Sequence, residues 1–305
     1  MAGVAVAVAE AEAVVVVAAA EAGDRFGFGW RAELAAGILA NLDRIDVVEV
    51  IAEDRFCASR AGRRALRTLA SQLPVVVHGT SLGAASTVPV EEKRLDRLAR
   101  LIEAVGAEGW SEHLAFVRGG GVEIGHLAAP PRTPASAEGA CKNLTRAARI
   151  VGAVPLVENI ATLVAPPAST LGEAQWIGQI IDGSGAGMLL DLHNLYANAV
   201  NFGADPLAML AMLPLDRVAS VHLSGGHWID GPNGARRLLD DHVHDVPAVV
   251  YALLRELGRR ASQPLTVIIE RDGRYPPMAA LLAQLDRARD ALAEGRAGRR
   301  ELAAA

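Results

Sequence analysis

Short apolar runs recur along the chain at 26–30, 47–52, 75–78, 109–114, 154–159, 187–192, 218–223 and 265–270, and most of them end on polar or charged residues. Continuous apolar runs of this length read as strands buried on both faces. Between them, amphipathic stretches near 32–42, 59–72, 90–105, 136–152, 171–182, 205–213, 246–258 and 276–293 read as helices. Pro89, Pro206 and Pro247 stand near three of the starts, where a missing N–H costs little. Such strict alternation predicts parallel pairing with helices outside, and closure into a (β/α)8 TIM barrel removes unpaired edges. The competing topology is a doubly wound open sheet. It gains nothing from Gly27-Phe28-Gly29, which no matching third glycine follows.

The pattern divides the chain into an Ala/Val-rich extension (1–25), one catalytic barrel domain (26–295) and a tail (296–305). Glu10, Glu12 and Glu21 interrupt the apolar start and no Lys or Arg precedes it, so it fits neither a secretory signal nor a membrane helix. It is expected to be a frayed, low-complexity terminus. The Pro-rich pieces 128–134 and 165–168, and the long connection 224–246 with Gly225, Gly226, Gly231 and Gly234, each follow a strand end and read as loops over the barrel mouth.

Composition narrows the picture. A chain of 305 residues, 51% of them hydrophobic, can bury one large core, and a net charge of −5 leaves no basic footprint for nucleic acid. Cys57 and Cys141 are too few for a disulfide framework, a cysteine-built zinc site or an iron–sulfur cluster. The expected setting is the reducing cytoplasm, with no nucleic-acid or membrane partner.

The candidate chemistry lies where apolar runs turn polar. In Gly187-Met-Leu-Leu-Asp191-Leu-His193-Asn194 a buried strand ends on a carboxylate, and an amide-rich loop with Asn198 and Asn201 is expected after it. Comparable strand ends carry Glu53, His78, Glu112 with His113, Glu158 with Asn159, His222, and Glu270 with Asp272. The loop after His222 adds Asp240, Asp241, His242 and His244. In a barrel all of these converge on one face. Two carboxylates about 5 Å apart repel by roughly 3 kcal/mol at an effective dielectric of 20, so something positive must offset the cluster. Arg271 is the obvious nearby cation. Bound metal is the stronger answer, because imidazole and carboxylate together suit Fe, Mn or Zn. The number of donors points to two or three ions.

Each residue also has a plain structural reading. His78 or His222 could be a hydrogen-bonded core histidine, and Glu53 could cap the next loop. Asp240 to His244 could form a polar helix approach with Asp245 as N-cap. Asn198 and Asn201 read as loop-shaping amides, and Cys57 as a small filler. His113 points to the opposite side of its strand from Glu112, so one of the pair faces the interior, and Glu112 is the expected ligand.

The segments VHGTSLG (77–83), SEHLAF (111–116), VENIAT (157–162), LLDLHNLYANAVNFGADP (189–206), VHLSGGH (221–227), LLDDHVHDVP (238–247) and VIIERDG (267–273) resemble the multinuclear non-heme iron-dependent oxidative enzymes, the DUF692 family. The resemblance runs from about Gly27 to the last helix. It implies a sugar-isomerase/endonuclease-like barrel with two or three irons, mixed Fe(II)/Fe(III), and O2 as co-substrate. The implied substrate is a ribosomally made, Cys-containing precursor peptide, modified oxidatively at cysteine. Many family members also work with a small leader-binding partner protein. Carried onto this chain, the implied ligands are His78, Glu112, Glu158, Asn159, Asp191, Asn194, His222, Asp240, His242 and Glu270. Asp240, His242 and His244 form the implied catalytic group, and His193 and Asp272 are placed around the ligands. Glu53-Asp54-Arg55 stands where the family usually has Glu-Asn-Tyr, Asp241 stands where it often has threonine, and an extra glycine separates His222 from His227. Rival readings are a zinc- or manganese-dependent barrel hydrolase or isomerase, and a non-catalytic peptide-binding scaffold.

Overall fold

A computed structural model of the protein describes residues 23–231 and 234–304; the Ala/Val run at 1–22 lies outside them. The strands are β1 (Arg25–Gly29), β2 (Val47–Ile51), β3 (Val75–Gly79), β4 (Trp110–His113), β5 (Phe116–Gly119), β6 (Val122–Ala128), β7 (Leu156–Glu158), β8 (Gly187–Asp191), β9 (Val218–Leu223), β10 (Gly226–Asp230), β11 (Arg236–Asp240) and β12 (Thr266–Ile269). β1, β2, β3, β4, β7, β8, β9 and β12 close into a parallel barrel in the order β1-β12-β9-β8-β7-β4-β3-β2. All eight strands expected from the apolar runs are present, and the open-sheet alternative is excluded.

Helices wrap the outside because each presents one apolar stripe to the strands. On Glu173–Ser184, Trp176, Ile177, Ile180 and Ile181 are buried at i, i+1, i+4 and i+5 spacing. Each such side chain contributes about 1.5–3 kcal/mol. Local signals set the ends: Ser59 caps Arg60–Ala70, and Thr133 with Ser136 forms a capping box ahead of Pro134.

Four regions go beyond the expectations. The stretch after Asp191 is a helix, Leu192–Phe202, not a loop, and Asp191 itself is its N-cap, accepting from the Asn194 N–H at 2.6 Å. The amides of Asn198 and Asn201 serve that helix's neighbours: Asn198 accepts from Thr162 N–H, and Asn201 brackets Leu238 through both its N–H and its C=O. The connection after β9 is an antiparallel hairpin, β10–β11, and a second hairpin, β5–β6, follows β4. The last helix, Met278–Ala304, runs on through most of the expected tail.

Gly226 lets the first hairpin begin where it does. A Cβ there would run into the Leu239 carbonyl and come within 2.6 Å of the His193 ring. The register then sets the mouth: His222 lies beside Asp191 on β8 and Ile268 on β12, and Glu158 lies beside His113 on β4.

Candidate metal centre at the barrel mouth

Glu158 stands at the middle of the mouth with its carboxylate reaching both ways. Its Oε2 is 3.3 Å from His78 Nε2 and 3.3 Å from His113 Nε2, and its Oε1 is 3.3 Å from His222 Nδ1. Two donor groups therefore share it. His78, His113 and Glu158 form one. Glu158, Asp191, His222 and Glu270 form the other, and within each group the donor atoms lie within 4.8 Å of one another. His222 Nδ1 also meets Glu270 Oε2 at 3.0 Å, while its Nε2 meets Glu49 Oε2 at 3.0 Å.

A third group extends toward solvent. Asp240 Oδ2 is 2.8 Å from His242 Nε2, and its Oδ1 bonds His193 Nδ1 at 2.8 Å and the Ser224 hydroxyl at 3.2 Å. His242 Nδ1 faces Glu270 Oε2 at 3.5 Å and Asp272 Oδ2 at 3.3 Å. His242 reaches this position with φ at +54°, a left-handed conformation that is uncommon for a residue with a side chain.

Four expected residues take other places. Glu112 is buried with Oε2 accepting from Leu82 N–H and Oε1 from His113 N–H; His113 joins the donor group in its stead. His113 Nε2 reaches Glu158 Oε2 at 3.3 Å across the β4–β7 pair, whose ladder continues through the Leu114 N–H to the Glu158 carbonyl. Asn159 uses its whole amide on the Asp191 backbone, accepting from the N–H at 3.0 Å and donating to the C=O at 2.9 Å, so it positions Asp191. His244 sits apart from the buried groups, on Asp241. Arg271 turns its guanidinium to Asp245, Gly273 and Arg274, and does not offset the mouth carboxylates. Asp245 accepts from Arg271 and Gln284, leaving the cap of Ala248–Arg260 to Pro247. Glu53 accepts from Thr80 N–H and the Ser81 hydroxyl, as the loop-capping reading expects.

Glu49 was missed by sequence reasoning, although VVEVI carries the signal: a carboxylate in the middle of a strand buried on both faces needs a partner.

Among the described residues, the ion pairs of Glu49, Glu158, Glu270 and Asp240 are all with histidines. Burial alone would depress His222 and His242, but Glu270 with Glu49 and Glu158 raises the first well above the usual range, and Asp240 with Glu270 does the same for the second. Burial raises Asp191, and Asp240 and Glu158 push it further. Burial also raises Glu112, next to Glu53. Burial takes His113 the other way, down to about 4, which leaves it a neutral donor at physiological pH. Glu270 and Asp240 stay below the usual carboxylate range despite burial, held by His222 and His242 for the first and by His242 and His193 for the second.

Buried atoms without a hydrogen bond converge here: Glu49 Oε1, His113 Nδ1, Glu158 Oε2, Asp191 Oδ2, His193 Nε2, Asn194 Oδ1 and His222 Nδ1. An unsatisfied buried polar atom costs about 1–3 kcal/mol. Several of them facing one another in a nitrogen-and-oxygen donor set fit metal ions of the Fe, Mn or Zn kind. Asn194 keeps its Oδ1 free because its Nδ2 donates to the Asn159 carbonyl. A cavity of about 380 Å³ opens onto the cluster at His113, Glu158, Asn194, Asp240 and His242, and Leu127, Ile160, Leu163 and Leu238 are among its walls. No helix among the described residues is long and apolar enough to cross a membrane.

Residues 25–293 match the family model described as RiPP precursor modification enzyme MbnB/TglH/ChrH. A UPF0276 protein of Streptomyces avermitilis is 37% identical over 274 residues, which cover 87% of this chain and 54% of that protein. This chain therefore spans about half the length of that relative. A UPF0276 protein of Anaeromyxobacter sp. is 34% identical over 86% of this chain and 90% of its own. Among solved structures, an L-ribulose 3-epimerase covers 92% of this chain and 98% of its own at 16% identity with a TM-score of 0.58. A xylose isomerase domain containing protein from Salmonella typhimurium covers 88% and 97% at 16% identity with a TM-score of 0.57. At such identities the likeness concerns the barrel alone.

Proposed function

This chain belongs to the MbnB/TglH/ChrH family of enzymes that modify ribosomally synthesised precursor peptides, and from that premise we propose that it oxidises a cysteine-containing precursor peptide using two or three iron ions and O2. One observation carries the reading: Glu158 is shared between two buried donor groups, within each of which the donor atoms lie within 4.8 Å of one another. His78, His113 and Glu158 would hold one ion; Glu158, Asp191, His222 and Glu270 a second; Asn194, Asp240 and His242 supply donors for a third. Iron bound there would supply redox chemistry with O2 and a seat for a cysteine thiolate, whose soft sulfur complements a set that lacks protein thiols.

The chain's own residues do the rest. Glu49 orients His222 through Nε2, Ser111 orients His78 through Nδ1 at 2.8 Å, and Asn159 fixes the Asp191 backbone. Such outer partners set ring orientation and ligand basicity. The apolar walls of the mouth cavity keep water from a bound side chain, and the cavity has room for a few residues of an extended peptide. Asp240, meeting His193 Nδ1 and His242 Nε2 at 2.8 Å each, holds both rings in place. A small partner protein that presents the peptide leader belongs to the same reading.

The test is anaerobic loading with Fe(II), followed by a Cys-containing precursor peptide and then O2, with the peptide's mass as readout. A mass change that requires both iron and O2 is expected. A zinc- or manganese-loaded protein that acts equally well without oxygen would replace this reading with the hydrolase or isomerase one.

A further inference from the structure

We propose that His227, Asp241 and His244 form a second, outer metal site: an open three-donor seat for a zinc-like divalent transition ion, separate from the buried groups. His227 lies on β10, Asp241 follows β11 directly, and His244 precedes the helix Ala248–Arg260, so the site joins the base of the hairpin to the chain that leaves it. One donor atom from each residue lies within 4.8 Å of the other two. Both imidazoles turn Nδ1 toward the same carboxylate, His227 on Oδ2 at 2.5 Å and His244 on Oδ1 at 3.0 Å, with ring centroids 5.3 Å apart. Arg274 stands 3.4 Å from Nε2 of His244, on the far side of that ring from the converging donors.

The arrangement repeats the one beside it. Asp240 is bracketed by His193 and His242 in the interior, and Asp241 is bracketed by His227 and His244 at the rim. The two sets differ in access. The His227 side chain is 45% exposed, His244 34% and Asp241 14%, so an ion there keeps water in its remaining positions and exchanges with solvent. Two imidazoles and one carboxylate with an open position suit zinc. Asp241 and His244 lie on either side of His242, so an outer ion clamps the left-handed turn that presents His242 to Glu270.

The proposal does not depend on which metal fills the interior. Protein as purified, with its own metal content first measured, is equilibrated with Zn2+ alone, passed through a desalting column and assayed for bound metals by mass spectrometry. The wild type is expected to hold one zinc per chain more than His227→Ala, with the interior metal count equal in both. Direct titration should show affinity falling on the order of 100-fold in His227→Ala and in Asp241→Asn, since losing a direct ligand costs no less than losing a ligand's partner. Both residues lie at the rim, and Asp241→Asn keeps the side chain's shape, so the pair covers failure of either to fold. Equal zinc in the wild type and both variants would mean a hydrogen-bonded triad and nothing more. Loss of interior metal in step with the zinc would make these residues part of the buried centre. Either result overturns the proposal.

Discussion

The two ends of the barrel are made from the same eight strands, yet they treat polar groups in opposite ways. At the end where the strands begin, charged and polar groups are paired within the chain. Arg25 meets Glu108 and Thr266, Asp24 takes Arg296 and the Leu265 N–H, Ser220 donates to the Thr266 carbonyl, and the Trp110 indole donates to the Ala153 carbonyl. At the end where they finish, buried oxygens and nitrogens are left facing one another. Satisfied polar groups make a floor, and unsatisfied ones make a socket. The same residue types give stability in one place and affinity in the other, and what separates them is whether the protein completes the bonding itself.

The sharpest way to break that contrast is Glu158→Gln. It removes the carboxylate common to both buried groups, and uncompensating a buried charge cluster costs about 3–5 kcal/mol, or ~10²–10⁴-fold in affinity. Both ions should be lost together on metal analysis; loss of one alone would show that the two groups are independent.

Acidity offers the next test. His222 and His242 have folded-state values raised above the usual histidine range, so they hold protons near neutrality until an ion displaces them. Metal uptake should release protons, and affinity should rise with pH from the ordinary histidine value of about 6.5 through the raised ones. For the metal-free protein the sign reverses. A raised histidine pKa gives stability that is complete below the unfolded value and is lost as pH rises through the folded one, and the raised Asp191 acts in the same direction. Melting curves should therefore diverge as pH rises above about 6.5, the metal-free form falling and the loaded form holding. Parallel curves would contradict the assignment of those protons.

Asn159→Ala is a smaller change. It leaves every donor atom in place but frees the Asp191 backbone, and a loss of about 10–100-fold in metal affinity or activity is expected. At the floor, Glu108→Ala removes a partly exposed ion pair and should cost under about 1 kcal/mol in denaturant melts, with metal content unchanged. A larger effect there would mean that the floor also governs the mouth.

Sequence pattern reveals the barrel because each strand is an apolar run and each outer helix an apolar stripe, signals that survive without tertiary knowledge. The hairpins were harder. Residues 116–128, with Gly119, Gly120, Gly121 and Gly125, carry no clear pattern, and 226–240 mix Gly with Arg and Asp and read as a loop until cross-strand bonds fix both hairpins. The helix Leu192–Phe202 was hidden by its amides, which look loop-forming in isolation and are held by long-range partners such as Leu238 and Thr162. In the site, Glu158, Asp191, His222 and Glu270 were legible as carboxylates and an imidazole at strand ends. That His113 lies in a donor group while the Glu112 oxygens accept from the Leu82 and His113 N–H groups was not, because those bonds exist only in the folded chain. Glu49 carries no strand-end signal because it lies in the middle of Val47–Ile51.

The bond between Glu49 and His222 spans 173 positions, and Glu270 follows the final strand of the ring. A nascent chain therefore cannot assemble this centre piecemeal as it leaves the ribosome; most of the polypeptide must emerge before the donors can meet. Metal held by Glu158, Asp191, His222 and Glu270 together would then report complete ring closure, and a fragment ending before residue 265 should lack that binding event however well its helices form.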